Sequence, residues 1–220
     1  MKPILFSLLI LSMQSMYAQD WAQLDRYQKA NTNVSSASIE LLFLGDSITE
    51  GWPQFRPQFF QNNPFVGRGI GGQTTPQMLL RFRQDVIALQ PKKVILLAGI
   101  NDIAQNTGPI RQDQIMDNIK SMTEIAKANG IEMILCSVLP ANSFPWRPEI
   151  VPTQKVIDLN QKIQAYAAEQ DLVYVDYYTP MVDSQGGLKA NLGYDTVHPN
   201  AAGYQLMEQI LSNYIDWVHE

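Results

Sequence analysis

The sequence predicts an α/β fold built on a parallel sheet that is buried on both faces. Two observations carry this. Five short, near-continuous apolar runs are separated by longer stretches with helical spacing; strands covered by crossover helices read as such runs, without alternating polar positions. Helix punctuation agrees. Thr75-Pro76 reads as an N-cap followed by proline at the first helical position, Asn129-Gly130 as a C-terminal stop, and Asn200 as a cap for the last helix.

In chain order, Met1-Lys2-Pro3, an apolar stretch over 4–13 and Ser15-Met16-Tyr17-Ala18 have the form of a secretory signal over 1–18, although Met16 is large for its position. A buried first helix is the other reading. The stretch is too short to span a membrane, and no cysteine follows it for lipid attachment. The expected location is periplasmic or secreted, with one domain over 19–220. Residues 20–33 have helical spacing, with Trp21, Leu24 and Tyr27 on one face. Strands are expected at 40–44, 64–66, 93–98, 132–138 and 172–176. Helices are expected at 52–61, 75–89, 110–129 and 152–170, with 200–217 closing the chain. At 220 residues and 45% hydrophobic content, one core is ample and a second domain is not expected.

A net charge of −5, with 16 scattered Lys and Arg, excludes a phosphate-backbone partner, so no nucleic acid is expected. Two histidines and one cysteine form no cluster with metal-ligand spacing. The chemistry falls to organic side chains, with no metal and no cofactor. Cys136 has no partner for a disulfide and sits on an apolar strand as inert core.

In a parallel sheet, sites lie outside the carboxyl ends of the strands, and four distinctive segments fall there. Gly45-Asp46-Ser47-Ile48-Thr49 follows the first strand and can present a serine hydroxyl at the sheet rim. Serine is a weak nucleophile until a base takes its proton, and Asp195-Thr196-Val197-His198-Pro199 offers one. The only other histidine, His219, is the penultimate residue. Asp195, three residues before His198, can bond the far imidazole nitrogen and fix its tautomer. Position 49 is Thr, so this is no G-x-S-x-G elbow, and taken alone a Gly-Asp-Ser turn is usually an ordinary turn. Asn101, in Gly99-Ile100-Asn101-Asp102, is an uncharged donor suited to a developing oxyanion, although taken alone such a residue more often forms an Asx turn. Asp102 reads as a helix or turn anchor. Gly71-Gly72, within Gly69–Thr74, lets backbone N–H groups approach a substrate closely, or simply forms the loop that opens a helix.

Together the blocks Gly45-Asp46-Ser47, Arg68-Gly69-Ile70-Gly71-Gly72-Gln73-Thr74, Gly99-Ile100-Asn101-Asp102 and Asp195-Thr196-Val197-His198-Pro199 resemble the SGNH hydrolases, the GDSL family of esterases and lipases. The resemblance runs from about Leu41 to Tyr204 in the family's order. It implies a flavodoxin-like, three-layer α/β/α fold with a five-stranded parallel sheet. It also implies Ser47 as nucleophile, His198 as base and Asp195 as its orienting partner, with an oxyanion hole made by the N–H groups of Ser47 and Gly72 and the side chain of Asn101. Gly71 stands where many relatives have Ser, and Gln73 where many have Asp. Within the family, the chain resembles small bacterial acylhydrolases related to platelet-activating-factor acetylhydrolase.

For the substrate, Trp52 is either a wall of the acyl pocket or a core residue. Trp146 and Arg147, in the loop 140–148 after the fourth strand, are placed to stack on a sugar face and to hold an anionic group; ordinary loop packing is the alternative. The segments between elements look short, with no apolar lid inserted. The expected activity is an exported serine esterase acting on a small acyl ester, acetyl foremost, borne by a carbohydrate. A lysophospholipase or broad carboxylesterase, an acyltransferase, and a non-catalytic glycan-binding module are the competing readings.

Overall fold

The computed structural model describes residues 20–34 and 39–215; the segment read as a signal, His219 and the end of the last expected helix lie outside them. The elements run α1 (Gln28–Thr32), β1 (Leu41–Gly45), α2 (Ser47–Phe55), α3 (Pro57–Gln61), β2 (Phe65–Gly69), α4 (Thr75–Asp85), β3 (Lys93–Leu97), α5 (Ile100–Ile103), α6 (Gln112–Ala128), β4 (Glu132–Cys136), α7 (Thr153–Glu169), β5 (Val173–Val175), α8 (Tyr178–Met181) and α9 (Ala201–Leu211). The five strands are all parallel, in the order β2-β1-β3-β4-β5, and match the five apolar runs.

The order decides the layers. The step from β1 to β2 goes one way along the sheet, and the step from β2 to β3 returns across β1. Right-handed crossovers therefore put α2 and α4 on opposite faces. Helix α2 meets α9 on one face, while α4 meets α6 and α6 meets α7 on the other. The result is the expected three-layer α/β/α sandwich. Every residue of β1 is buried, with Phe43 edge-on to Trp52, Phe59 and Phe60. Burial of each such side chain contributes about 1.5–3 kcal/mol. Cys136 is buried in the same core, which pushes its thiol pKa up. Among the described residues no helix is long and apolar enough to cross a membrane.

Several boundaries differ from the sequence expectation, the following for local reasons. The helix expected at 52–61 starts at Ser47, because the Asp46 side chain accepts the Ile48 N–H at 3.0 Å and caps it earlier. It breaks at Arg56, which precedes Pro57 and is thereby steered out of the helical region. Helix α4 is capped by Thr74 and not Thr75, since Gln77 Oε1 accepts the Thr74 N–H at 3.0 Å; it ends at Asp85 and gives way to a 3-10 turn, Ile87–Leu89. The stretch 20–33 is a 3-10 turn, Leu24–Tyr27, followed by the short α1. There the carbonyls of Trp21, Ala22 and Leu24 accept from Gln77, Gln73 and Gln84 at 2.7, 2.7 and 2.5 Å. The segment is strapped over α4 by side chains and so is not one continuous helix. Gly130, at φ +72°, stops α6 after Asn129 as expected, and Asn200 caps α9 through the Gly203 N–H at 3.0 Å.

Candidate active site

Gly45 pairs in register with Gly69 on one side and Leu97 on the other, so β1, β2 and β3 end level. From that edge the chain leaves β1 and β3 in opposite directions, which opens a crevice between their carboxyl ends. The first turn of α2 lies directly over the edge. A Cβ at Gly69 would stand 2.1 Å from the Glu50 nitrogen and 2.5 Å from the Thr49 carbonyl carbon, so only glycine lets β2 end beneath that turn. Ser47 is the first residue of α2 and its N–H has no partner within the helix.

Residues 151 apart in sequence meet here. Ser47 Oγ lies 2.9 Å from His198 Nε2, and His198 Nδ1 lies 2.8 Å from Asp195 Oδ2. Since a carboxylate only accepts, Nδ1 carries the proton and Nε2 is left to accept from the serine hydroxyl. The other carboxylate oxygen, Oδ1, accepts the backbone N–H groups of Val197 at 2.8 Å and His198 at 2.7 Å. The i, i+3 spacing thus lets one side chain build the turn and hold the imidazole. Burial works to raise the Asp195 pKa, but those two N–H groups and the imidazole outweigh it and hold the carboxyl below its usual value.

The Gly71-Gly72 turn also adjoins Ser47. A Cβ at Gly71 would stand 3.8 Å from Ser47 Cβ and 2.9 Å from Glu50 Oε2, and Glu50 Oε2 accepts the Gly71 N–H at 2.8 Å. The glycine found in place of serine thus adjoins a carboxylate that clamps the loop. Gly72 has φ +76°, a left-handed conformation that other residues adopt at a cost. Asn101 is buried, and its Nδ2 donates to Gln73 O at 3.1 Å with one of its two hydrogens. Gln73, the second departure, is buried and bridges outward from Arg81 Nε, at 2.6 Å, to Ala22 O. The segments of the three donors named from the sequence are thus linked, Gly71 adjoining Ser47 and Gln73 holding Asn101.

Beneath them lies a buried polar framework. Arg81 donates to Gly45 O at 2.9 Å as well as to Gln73, and pairs with Asp85 at 3.1 Å. Asp102 accepts from the Thr75 N–H at 3.0 Å and the Thr75 hydroxyl at 2.6 Å, which makes it the anchor of α4. Burial lifts its pKa to about 6 against those hydrogen bonds. Asp46 is also buried; its Oδ2 has no hydrogen-bond partner, and burial pushes its pKa up to about 7.

The substrate candidates separate. Trp52 is 1% exposed, stacked on Phe59, with its Nε1 donating to Glu208 at 3.1 Å; the core reading holds and it is no pocket wall. Trp146 is 41% exposed, its ring centre 6.2 Å from that of His198. Arg147 is half-buried on the same loop, 3.8 Å from Glu149. The connections 137–152 and 182–200 carry the exposed rings of Trp146 and Tyr194. One of these, Tyr194, was missed: it is 60% exposed and lies parallel to His198 at 5.4 Å between centres, with Phe55 stacked on it at 5.8 Å. Glu50, Arg81 and Asn106 were missed too. Only the i, i+4 spacing of Arg81 and Asp85 offered a sequence signal; the other partners lie either at spacings with no helical or strand meaning, as Asn106 to Asn101 and Arg81 to Gln73, or 20 to 40 positions away.

The model of the GDSL-like lipase/acylhydrolase family matches residues 43–206, most of the chain. A crystal structure of a GDSL-like lipase from Bacteroides thetaiotaomicron is 45% identical and superposes with a TM-score of 0.85, over 87% of this chain and 96% of that one. A Streptococcus pneumonia structure named for platelet activating factor is 25% identical, with a TM-score of 0.76 over 90% and 96%. Acetylxylan esterase of Geobacillus stearothermophilus is 24% identical over 70% of this chain and 73% of its own length. An uncharacterized lipoprotein of Bacillus subtilis is 32% identical over 36% of this chain, which spans only 34% of that protein. With the four motif blocks in order on one sheet edge, the chain belongs to the GDSL-like lipase/acylhydrolase family.

Proposed function

We propose that the protein is an exported serine esterase that removes small acyl groups, acetyl foremost, from a carbohydrate through a Ser47 acyl-enzyme. The observation that carries this is the continuous Ser47–His198–Asp195 chain at 2.9 and 2.8 Å beside the buried Asn101 amide. Ser47 Oγ attacks the ester carbonyl as its proton passes to His198 Nε2. The oxyanion gathers the Ser47 N–H, the Gly72 N–H and the second Nδ2 hydrogen of Asn101. His198 then gives its proton to the departing alkoxide, and Asp195 stabilises the imidazolium between the two transfers. A water repeats the sequence on the acyl-enzyme and releases the acid.

The acetyl and carbohydrate preference is supported by the acetylxylan esterase relative. The exposed Trp146, where a sugar face can stack, and Arg147 beside it, where an anionic group can be held, point the same way. The signal-like residues 1–18 support export to the periplasm or beyond.

Hydrolysis of p-nitrophenyl esters from acetate to octanoate, with Ser47→Ala as control, tests the reading. Acetate is expected to be preferred, with turnover in Ser47→Ala lower by about 10⁴-fold or more. Octanoate equal to acetate would move the assignment to a lysophospholipase or broad carboxylesterase. Turnover independent of Ser47 would end the esterase reading. Asn101→Ala is expected to lower kcat by about 10²–10³-fold in a folded protein; activity within a few-fold of the parent would remove Asn101 from the oxyanion hole.

A further inference from the structure

We propose that Asn106 is a positioning residue of the oxyanion hole, setting the direction of the Asn101 amide and holding the Gly72 peptide, under the control of the Trp146 indole. The proposal deepens the esterase reading and rests on it. Asn106 follows α5, with its backbone N–H on Asn101 O at 3.0 Å, and its side chain touches three groups. Asn106 Nδ2 donates to Asn101 Oδ1 at 2.9 Å and to Gly72 O at 3.3 Å, and Asn106 Oδ1 accepts from Trp146 Nε1 at 3.0 Å.

The ends of this chain cannot reverse. An indole N–H only donates, so the Asn106 oxygen must face Trp146 and its nitrogen must face inward. A backbone carbonyl only accepts, so Gly72 O demands the same orientation, and Gln73 O demands the nitrogen of Asn101. Both amides are thus fixed by fixed-polarity groups at each end of the relay, from Trp146 through Asn106 and Asn101 to Gln73 O. This leaves Asn101 with one N–H committed and one free to donate. With its amide turned over, Asn101 would put its one oxygen where Nδ2 now stands, repelling Gln73 O and offering the developing oxyanion no donor. Asn106 Nδ2 opposes that turn from one end of the amide and Gln73 O from the other.

The same nitrogen acts on the second donor. Glu50 Oε2 holds the Gly71 N–H from one side at 2.8 Å, and Asn106 holds Gly72 O from the other. The Gly72 N–H lies between the two clamps, in a glycine whose backbone would otherwise be the freest of the site. Preorganised donors act because they need no reorientation as charge develops, so a relay that fixes two of them contributes to the chemical step and not to substrate affinity. Trp146 is the exposed end, and its ring also neighbours His198. A substrate group that settles on this ring therefore presses on the element that aims the oxyanion donors.

The test is kcat and KM for p-nitrophenyl acetate in Asn106→Ala and Trp146→Phe, each made alone and in an Asn101→Ala background, with Ser47→Ala alongside. Asn106→Ala is expected to lower kcat by about 10–100-fold, a fraction of what a direct donor supplies, with KM within about threefold. Trp146→Phe keeps an aromatic ring and loses the N–H; it should lower kcat less, again at constant KM, and at a half-exposed position it keeps the fold. In the Asn101→Ala background the share of the Asn106→Ala effect that runs through Asn101 should vanish and only the share that runs through the Gly72 peptide remain, since two groups acting through one interaction are not additive. An unchanged kcat in both single variants, a change in KM alone, or full additivity with Asn101→Ala would each overturn the relay. If Ser47→Ala turns over like the parent, the esterase reading falls and takes the relay with it. If turnover needs Ser47 but ignores Asn106 and the indole N–H, the relay alone falls.

Discussion

The two sides of the crevice are held in different ways. The donor side, with Gly72 and Asn101, stands on buried polar side chains from several elements: Arg81 and Asp85 of α4, Asp102 of α5, Gln73 of the loop, and Glu50 of α2 at its margin. The base side is one partly exposed turn. Asp195 folds it with two N–H bonds, the Tyr194 N–H closes it on His198 O at 3.1 Å, and Thr196 ties it to Ser143 O at 3.2 Å. Oxyanion donors act by being fixed in advance in a dry place, whereas a base must reach both a leaving group and water. Damage to the donor side should therefore cost stability as well as rate, and damage to the base side should cost rate alone.

Asp195→Asn sharpens the base half of that contrast and should give the largest effect. The asparagine oxygen can still accept from Val197 and His198, so the turn and the melting temperature should hold. Its nitrogen, however, faces His198 Nδ1 and favours the wrong tautomer, for which a fall in kcat of up to about 10⁴-fold is expected. That loss should stay below the Ser47→Ala loss, because Asp195 only orients and stabilises the base. A loss under tenfold, or a collapsed fold, would break the comparison.

Arg81→Met examines the other half. Arg81 is fully buried and serves Asp85, Gln73 and Gly45 at once, so its removal leaves a buried carboxylate supported by Asn31 at 2.7 Å. Breaking a buried pair costs about 3–5 kcal/mol, which urea unfolding would read directly. Stability unchanged to within about 1 kcal/mol would mean that this framework does not hold the donor side.

The contrast also explains what the sequence could reveal. Ser47, Gly72, Asn101, Asp195 and His198 stand in strand-end turns or at a fixed local spacing, and position in such turns follows from period and punctuation. Asp195 and His198 were legible as a pair because three residues suffice for the carboxylate to reach the ring. The framework was not legible. Arg81 reads as a charged residue on an amphipathic helix until β1 is known to end above it, and Asn106 means nothing until Trp146, 40 residues on, lies against it. Trp52 had two readings because tryptophan near a nucleophile suits a pocket or a core equally; Glu208, which takes its N–H, is 156 residues away. The start of α2 was missed by five residues because helical periodicity cannot register a cap that lies inside the Gly-Asp-Ser turn.

Asp46 is the place where the donor side's burial should show up in stability against pH. Its carboxyl caps α2 with one oxygen while the other is buried without a hydrogen-bond partner. Burial first, and Asp102 nearby, raise its pKa from 3.8 to about 7, against the Ile48 N–H and His198, which lower it. The folded state therefore binds this proton more tightly than the unfolded chain. Its contribution is fully present below the unfolded value near 3.8 and is lost as pH rises through about 7. Asp102, raised to about 6 by the same cause, acts in the same direction. Asp195, held below its usual value, gains its stability below that window. The melting temperature should accordingly fall between pH 5 and pH 8. Asp46→Asn keeps the oxygen that caps Ile48 and removes the ionisation, so its profile should be flatter than the parent's, though not flat while Asp102 remains. Parallel profiles for the two proteins would mean that Asp46 ionises freely, and that the turn beneath Ser47 is wetter than its burial implies.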